Sequence, residues 1–269
     1  MKLYLEGVGL RGPGFPHWIA GREILAGRVA YRPDELIPAA DEILPVGERR
    51  RATETVKLAI TVCSEATRNA AVSPENTPSV FASSGGDGAT IVAIFESLVA
   101  VPREVSPTRF HNSVHNAPAG YWGIATHSRE ASTSVCAYDF SFTAGFIEAA
   151  SQVLTEHRPI LLAAYDLPYP PALHAIRQIS AEFAVALVLS PHPTARSLAS
   201  LSFALIRDER PATGAPGPEF ETLRSGNPAA RSLPLLAAVA RAAASEVALQ
   251  HVAGNMLIVE VMPLGGAYT

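Results

Sequence analysis

The sequence predicts an α/β fold, a layered sandwich in which helices cover both faces of one sheet. Three observations carry this. Apolar strand-like runs alternate with amphipathic helical stretches along most of the chain. Residues 79–83 run into the glycine turn Gly85-Gly86-Asp87-Gly88 and then a helical stretch at 89–99, a strand, turn, helix unit. The 269 residues are 48% hydrophobic and 17% charged, enough to bury a full core. Strands separated by helices imply a largely parallel sheet, because each crossover lays a helix across a face.

Taken in order, residues 2–10 alternate Leu3, Leu5 and Val8 with other residues as a strand does, and Gly12-Pro13-Gly14 stops them. A loop-rich stretch follows to Val46. Between residues 48 and 71 Ala52, Val56, Ala59, Cys63 and Ala66 share one helical stripe, predicting a single amphipathic helix. Beyond the first strand–turn–helix unit come a helix at 117–126, a strand at 132–138 and a helix at 141–155 bearing Phe142, Phe146, Ala149 and Val153. Three apolar strands are expected at 159–165, 183–189 and 198–206. Residues 208–227, rich in Gly, Pro and charge, read as a linker or exposed loop. A helix at 233–251 and a strand at 256–261 complete the series.

The net charge of -4 and the scattered Lys and Arg argue against a nucleic-acid partner. No long apolar segment is present, so a cytoplasmic location and no membrane span are expected. The two cysteines, Cys63 and Cys136, have neither disulfide-framework nor zinc spacing. His111 and His115 stand four residues apart, but without a third ligand they are assigned to hydrogen bonding and not to a metal. Gly85-Gly86-Asp87-Gly88 lacks a P-loop lysine and is read as a structural turn. Ser83 and Ser84 lack the Gly-x-Ser-x-Gly elbow of hydrolases. No cofactor is expected.

Three stretches resemble β-ketoacyl synthases of the thiolase superfamily, and among them the short ketosynthase-like and chain-length-factor-like proteins of type II polyketide and aryl-polyene systems. The first is Leu44-Pro45-Val46-Gly47-Glu48-Arg49-Arg50-Arg51-Ala52. The second runs from Ser106 through His111, His115, Asn116, Ala119-Gly120 and Tyr121-Trp122. The third is Ser132-Thr133-Ser134-Val135-Cys136-Ala137-Tyr138-Asp139, leading to Phe140-Ser141-Phe142.

The resemblance implies a thiolase-like layered sandwich: one βαβαβαββ half over residues 1–207, a linker at 208–231, and a reduced C-terminal helix and strand at 232–269 on the same domain. In active relatives a cysteine stands at a tight strand-to-helix turn, where unpaired amides and the helix dipole lower a thiol pKa. An ungapped count places Asp139 at that elbow and leaves Cys136 inside the strand. A carboxylate cannot carry the acyl group, and Asp139 is expected instead to cap the following helix. His174, His192 and His251 lie outside the family's catalytic histidine settings.

No catalytic residue is therefore expected, and Cys136 is the alternative nucleophile. His111, His115, Asn116, Tyr121, Trp122, Phe140 and Phe142 are candidates for an acyl tunnel or subunit interface. The implied role is a silent, chain-length-factor-like subunit that pairs with a full-length ketosynthase, as heterodimer or heterotetramer, and serves acyl chains on acyl carrier protein. The alternatives are a homodimeric or larger acyl-binding scaffold, and an active acyltransferase or hydrolase using Cys136.

Overall fold

The computed structural model describes residues 1–33 and 43–266. Part of the loop-rich stretch (34–42) and the end of the C-terminal segment (267–269) lie outside the described residues. Among the described residues eight strands form one sheet in the order β3-β2-β4-β5-β1-β6-β8-β7. They are β1 (Lys2–Arg11), β2 (Ser79–Ala82), β3 (Ser132–Val135), β4 (Ile160–Asp166), β5 (Phe183–Ser190), β6 (Ala199–Arg207), β7 (Ser245–Gln250) and β8 (Asn255–Pro263). The helices are α1 (Trp18–Leu25), α2 (Val46–Arg51), α3 (Glu54–Ala70), α4 (Gly88–Val99), α5 (Pro107–Asn112), α6 (Ala117–Thr126), α7 (Ser141–Glu156), α8 (Pro171–His174), α9 (Pro218–Gly226) and α10 (Leu233–Arg241).

The central strands are apolar on both faces, as a sheet covered on both sides requires. On β4, Ile160, Leu162 and Ala164 join the core under α1, α7 and α10, whereas Leu161, Ala163 and Tyr165 join the core under α3 and α6. A bulge between Leu5 and Gly7 shifts the alternation of β1, so that Leu3, Leu5, Val8 and Leu10 all face the first core. The bulged Glu6 is buried, and its carboxylate accepts hydrogen bonds from Thr194 and Ser197, tying the β5–β6 connection to β1. Gly7 and Gly9 face α3 so closely that a Cβ would strike the carbonyl oxygens of Ala66 and Val62.

The sheet is not largely parallel. β2 pairs in parallel with β3 and β4, while β4–β5, β5–β1, β1–β6, β6–β8 and β8–β7 are antiparallel. The reason is the strand order: β2, β3, β4 and β7 are each reached through helices, yet β1 slots between β5 and β6, and β8 between β6 and β7, against the direction of both neighbours.

Four further readings change. The helix expected over 48–71 is two helices, because Ala52 is extended and Thr53 begins α3 as its N-cap, accepting a bond from the Val56 amide. The stretch before Val46 contains α1, with Trp18, Gly21 and Leu25 buried. Within 208–227, α9 starts at Pro218 and buries Phe220 and Leu223. Phe220 packs 5.7 Å from Phe15 and 4.6 Å from Tyr31, ring centre to ring centre. The helix expected over 233–251 ends at Arg241, where Ala242 turns left-handed (φ +50°), and β7 follows.

Candidate functional site

The turn between β3 and α7 is built by β3 leaving the sheet at Val135, earlier than residue 138. Ala137 departs from extended geometry, Tyr138 is held at φ +52°, and a short 3-10 turn spans Tyr138–Phe140 before α7. A non-glycine residue in this region costs about 1–2 kcal/mol, so the surrounding structure must enforce it. Ser141 does so: its hydroxyl accepts a bond from the Ala137 amide (3.1 Å) and donates to the Tyr138 carbonyl (2.7 Å). The Arg177 guanidinium lies 3.7 Å from the centre of the Tyr138 ring.

Asp139 lies in this turn but does not cap α7, whose first turn receives no side-chain bond. Its carboxylate is instead shared by two arginines from later in the chain, Arg177 (2.6 Å) and Arg231 (3.2 Å). Burial works against the Arg177 charge, but the hydrogen bond and charge of Asp139 outweigh it and raise the pKa. Burial lowers the Arg231 pKa, with Asp139 opposing and the nearby Arg224 and Arg177 adding to the effect.

Cys136 is not a buried strand residue. It stands just past β3, exposed, with its thiol donating to the Ser84 carbonyl at 3.2 Å. The ends of β2 and β4 meet beside it in a polar cluster that the sequence did not reveal. Asp166 is fully buried, and one of its oxygens accepts bonds from the Ser83 hydroxyl (3.1 Å), the Ser84 amide (2.8 Å) and the Ser84 hydroxyl (2.7 Å). Its other oxygen has no partner among the described residues. Burial, only partly offset by those bonds and by Arg177, pushes the Asp166 carboxyl up to about 6.

The remaining candidates separate. His115 reaches the Ser83 carbonyl (3.1 Å). His111 is exposed and meets Tyr121 edge-on at 5.9 Å. Tyr121 is buried and donates to Asn112 (3.0 Å), which in turn holds the Arg51 carbonyl (2.8 Å). Trp122 and Phe142 are core residues, Phe140 is half-buried, and Asn116 precedes α6 without a side-chain cap bond. The glycine turn fits beneath Tyr169, whose ring would collide with a Cβ at Gly85 or Gly88. Arg177 and Arg231 carried no local signal, since only the fold brings them to Asp139.

Among the described residues no cluster of His, Cys, Asp or Glu suits a metal ion, and no helix is long and apolar enough to cross a membrane.

Solved structures share this architecture. The chain is similar to one in the ketosynthase (ApeO) complex with its chain length factor (ApeC) from Xenorhabdus doucetiae, with TM-score 0.73, 20% identity, and coverage of 97% of this chain and 99% of that one. A chain of the AntDE:AntF complex, a type II PKS acyl-carrier protein with its ketosynthase bound to the hexaketide, gives TM-score 0.73, 11% identity, 98% and 99% coverage. The ishigamide ketosynthase/chain length factor gives 0.70, 13% identity, 98% and 100% coverage. At these identities the likeness is one of fold. No curated protein matches the chain. The β-ketoacyl synthase N-terminal domain family matches residues 27–250, and with the strand-to-helix turn and the layered sheet already described, the chain belongs to that family.

Proposed function

We propose that the chain is a catalytically silent, chain-length-factor-like subunit that pairs with a full-length ketosynthase and bounds the space into which an acyl chain on acyl carrier protein can grow. The observation that carries this reading is the state of the elbow. On the ungapped count its nucleophile position falls on Asp139, which cannot form a thioester, and both oxygens of that carboxylate are engaged by arginines. Two surfaces support the pairing. β3 is an outer strand of the sheet, with one edge unpaired among the described residues, and open edges invite a further strand. α4, which follows β2, is apolar yet leaves Phe95, Leu98 and Val99 exposed, beside Phe110 of α5.

In this reading residues 1–207 stand for one ketosynthase half, 232–269 for the reduced remainder, and 208–231 join them. The chain works in the cytoplasm without a cofactor. Incubation with a reactive acyl thioester, alone and with its ketosynthase, tests it by intact-mass spectrometry: acyl mass appears on the partner and not on this chain. Acylation of this chain that disappears in Cys136→Ala would instead establish the exposed thiol as a nucleophile. In the reconstituted system Cys136→Ala is expected to leave the product profile unchanged.

A further inference from the structure

The glycine turn after β2 ends in an unusual neighbourhood. The first turn of α4 (Asp87, Gly88, Ala89, Thr90) and that of α3 (Thr53, Glu54, Thr55) line one cavity of about 270 Å³, with Arg109 on its wall. Two helix N-termini therefore open into the same space, each with backbone amides that no turn of its own helix can satisfy. The amides of Glu54, Thr55, Gly88 and Ala89 have no acceptor among the described residues.

A second observation is independent of the helix ends. Thr55 and Thr90 line the cavity and are only 5% and 7% exposed, yet neither hydroxyl has a hydrogen-bond partner among the described residues. Side chains this buried ordinarily spend their hydroxyls on the protein, and here both oxygens keep accessible surface instead, so the two threonines offer free donors to whatever occupies the cavity. Arg109 is likewise without an ion pair among the described residues.

The charges decide what kind of acceptor. Asp87 spends one oxygen on the Thr90 amide (2.8 Å), and Glu54 is paired with Lys57 (2.7 Å). Arg109 offsets Asp87, Lys57 offsets Glu54, and the two helix ends contribute about half a positive charge each. Glu182, close enough to Glu54 to feel its charge, counts against the helix ends, so the attraction for an anion rests on local donors arriving from several directions and on Arg109, not on an excess of charge. That suits a tetrahedral oxyanion with three free oxygens better than a flat carboxylate, which offers two. Ala93, Leu167 and Pro168 supply an apolar wall beyond it.

We propose that the cavity between the N-termini of α3 and α4 binds a phosphate group, held by Thr55, Thr90, Arg109 and the free amides. It shares no lining residue with the elbow, so it stands whether or not the chain is catalytically silent. The test is titration of the full-length chain with inorganic phosphate, propyl phosphate and acetate, read by calorimetry and by phosphorus NMR line broadening for the two phosphates. Both phosphates are expected to bind, acetate much more weakly, and Thr90→Val and Arg109→Gln are each expected to weaken phosphate binding about tenfold, as loss of a bond to a charged group does. A several-fold preference for propyl phosphate would assign the site to a phosphate monoester, and equal affinity to free phosphate. Arg109 is exposed, so Arg109→Gln tests the proposal even where Thr90→Val fails to fold. Absent phosphate binding, phosphate binding unchanged in the folded variants, or acetate bound as tightly as phosphate would overturn it.

Discussion

At the residue scale the elbow is governed by charge. Asp139 is the common partner of Arg177 and Arg231, whose side chains are 15% and 19% exposed. Removing it leaves two largely buried guanidinium groups facing each other. Asp139→Ala is accordingly expected to cost about 1–3 kcal/mol, less than a fully buried pair because Asp139 itself is partly open to water. Asp139→Asn keeps two polar atoms but loses the charge and should fall between wild type and alanine; chemical denaturation measures both. Had Asp139 been a helix cap, asparagine would have been nearly neutral, so the order of the two variants distinguishes the roles. Asp166 gives a prediction of opposite character. Its folded pKa, near 6, lies above the unfolded carboxylate value, so the folded state binds more protons between about pH 4 and pH 6, and stability falls as pH rises through that window. Glu65, also pushed up to about 6 by burial, contributes with the same sign. Asp166→Asn keeps an oxygen for the Ser83 and Ser84 bonds and removes the titration. Its denaturation midpoint should therefore vary less with pH over that window than that of the wild type.

At the element scale, what could be read from the sequence depended on whether the signal was local. The strands 2–10, 79–83, 159–165, 183–189, 198–206 and 256–261 and the helices 89–99, 117–126 and 141–155 all appear within a few residues of their expected ends, because their apolar spacing is fixed by the faces they bury. The failures share a cause. The run Leu233–Arg241 continues into Ala242, Ala243 and Ala244 without a glycine or proline, so periodicity alone does not show where helix gives way to strand. α9 did carry a signal, with Pro218 at its first turn, Glu219 and Glu221 beside it and Phe220 and Leu223 three apart, but the surrounding Gly and Pro hid it. That Asp139 lies in the turn between β3 and α7 was legible and its partners were not, since residues 177 and 231 approach it only through the fold. α4 yields the test belonging to this scale. Its exposed Phe95 makes little contribution to the chain's own core, so Phe95→Glu should leave the thermal midpoint of the isolated chain within about a degree or two, as surface changes do, yet weaken capture by the ketosynthase partner. Capture at wild-type affinity would remove α4 from the interface.

At the scale of the whole molecule the sheet is asymmetric in how it ends. The β7 edge is closed by the chain itself: the Thr213 amide donates to the Ala248 carbonyl (2.9 Å) and the Ala248 amide donates to the Thr213 hydroxyl (2.8 Å), so the segment before α9 straps the last strand. At the other end β3 has, among the described residues, only β2 beside it, and α4, which follows β2, and α5 carry exposed hydrophobic side chains. With one edge strapped by the chain's own backbone, the proposed pairing is expected to use the β3 edge, since an open edge accepts a further strand. Stable obligate interfaces commonly bury upwards of about 2,000 Å², more than one short strand supplies, so the open edge and α4 are expected to be covered together. The chain alone should consequently self-associate or be of low stability, and mixing with the ketosynthase should give one stoichiometric complex with a raised thermal midpoint, because a partner that binds only the folded form stabilises it by mass action. Sedimentation velocity of the chain, of the ketosynthase and of the mixture measures this directly. A monodisperse monomer that neither associates with the ketosynthase nor gains stability from it would show that the open edge is not an assembly surface, and the silent-subunit reading would fall with it.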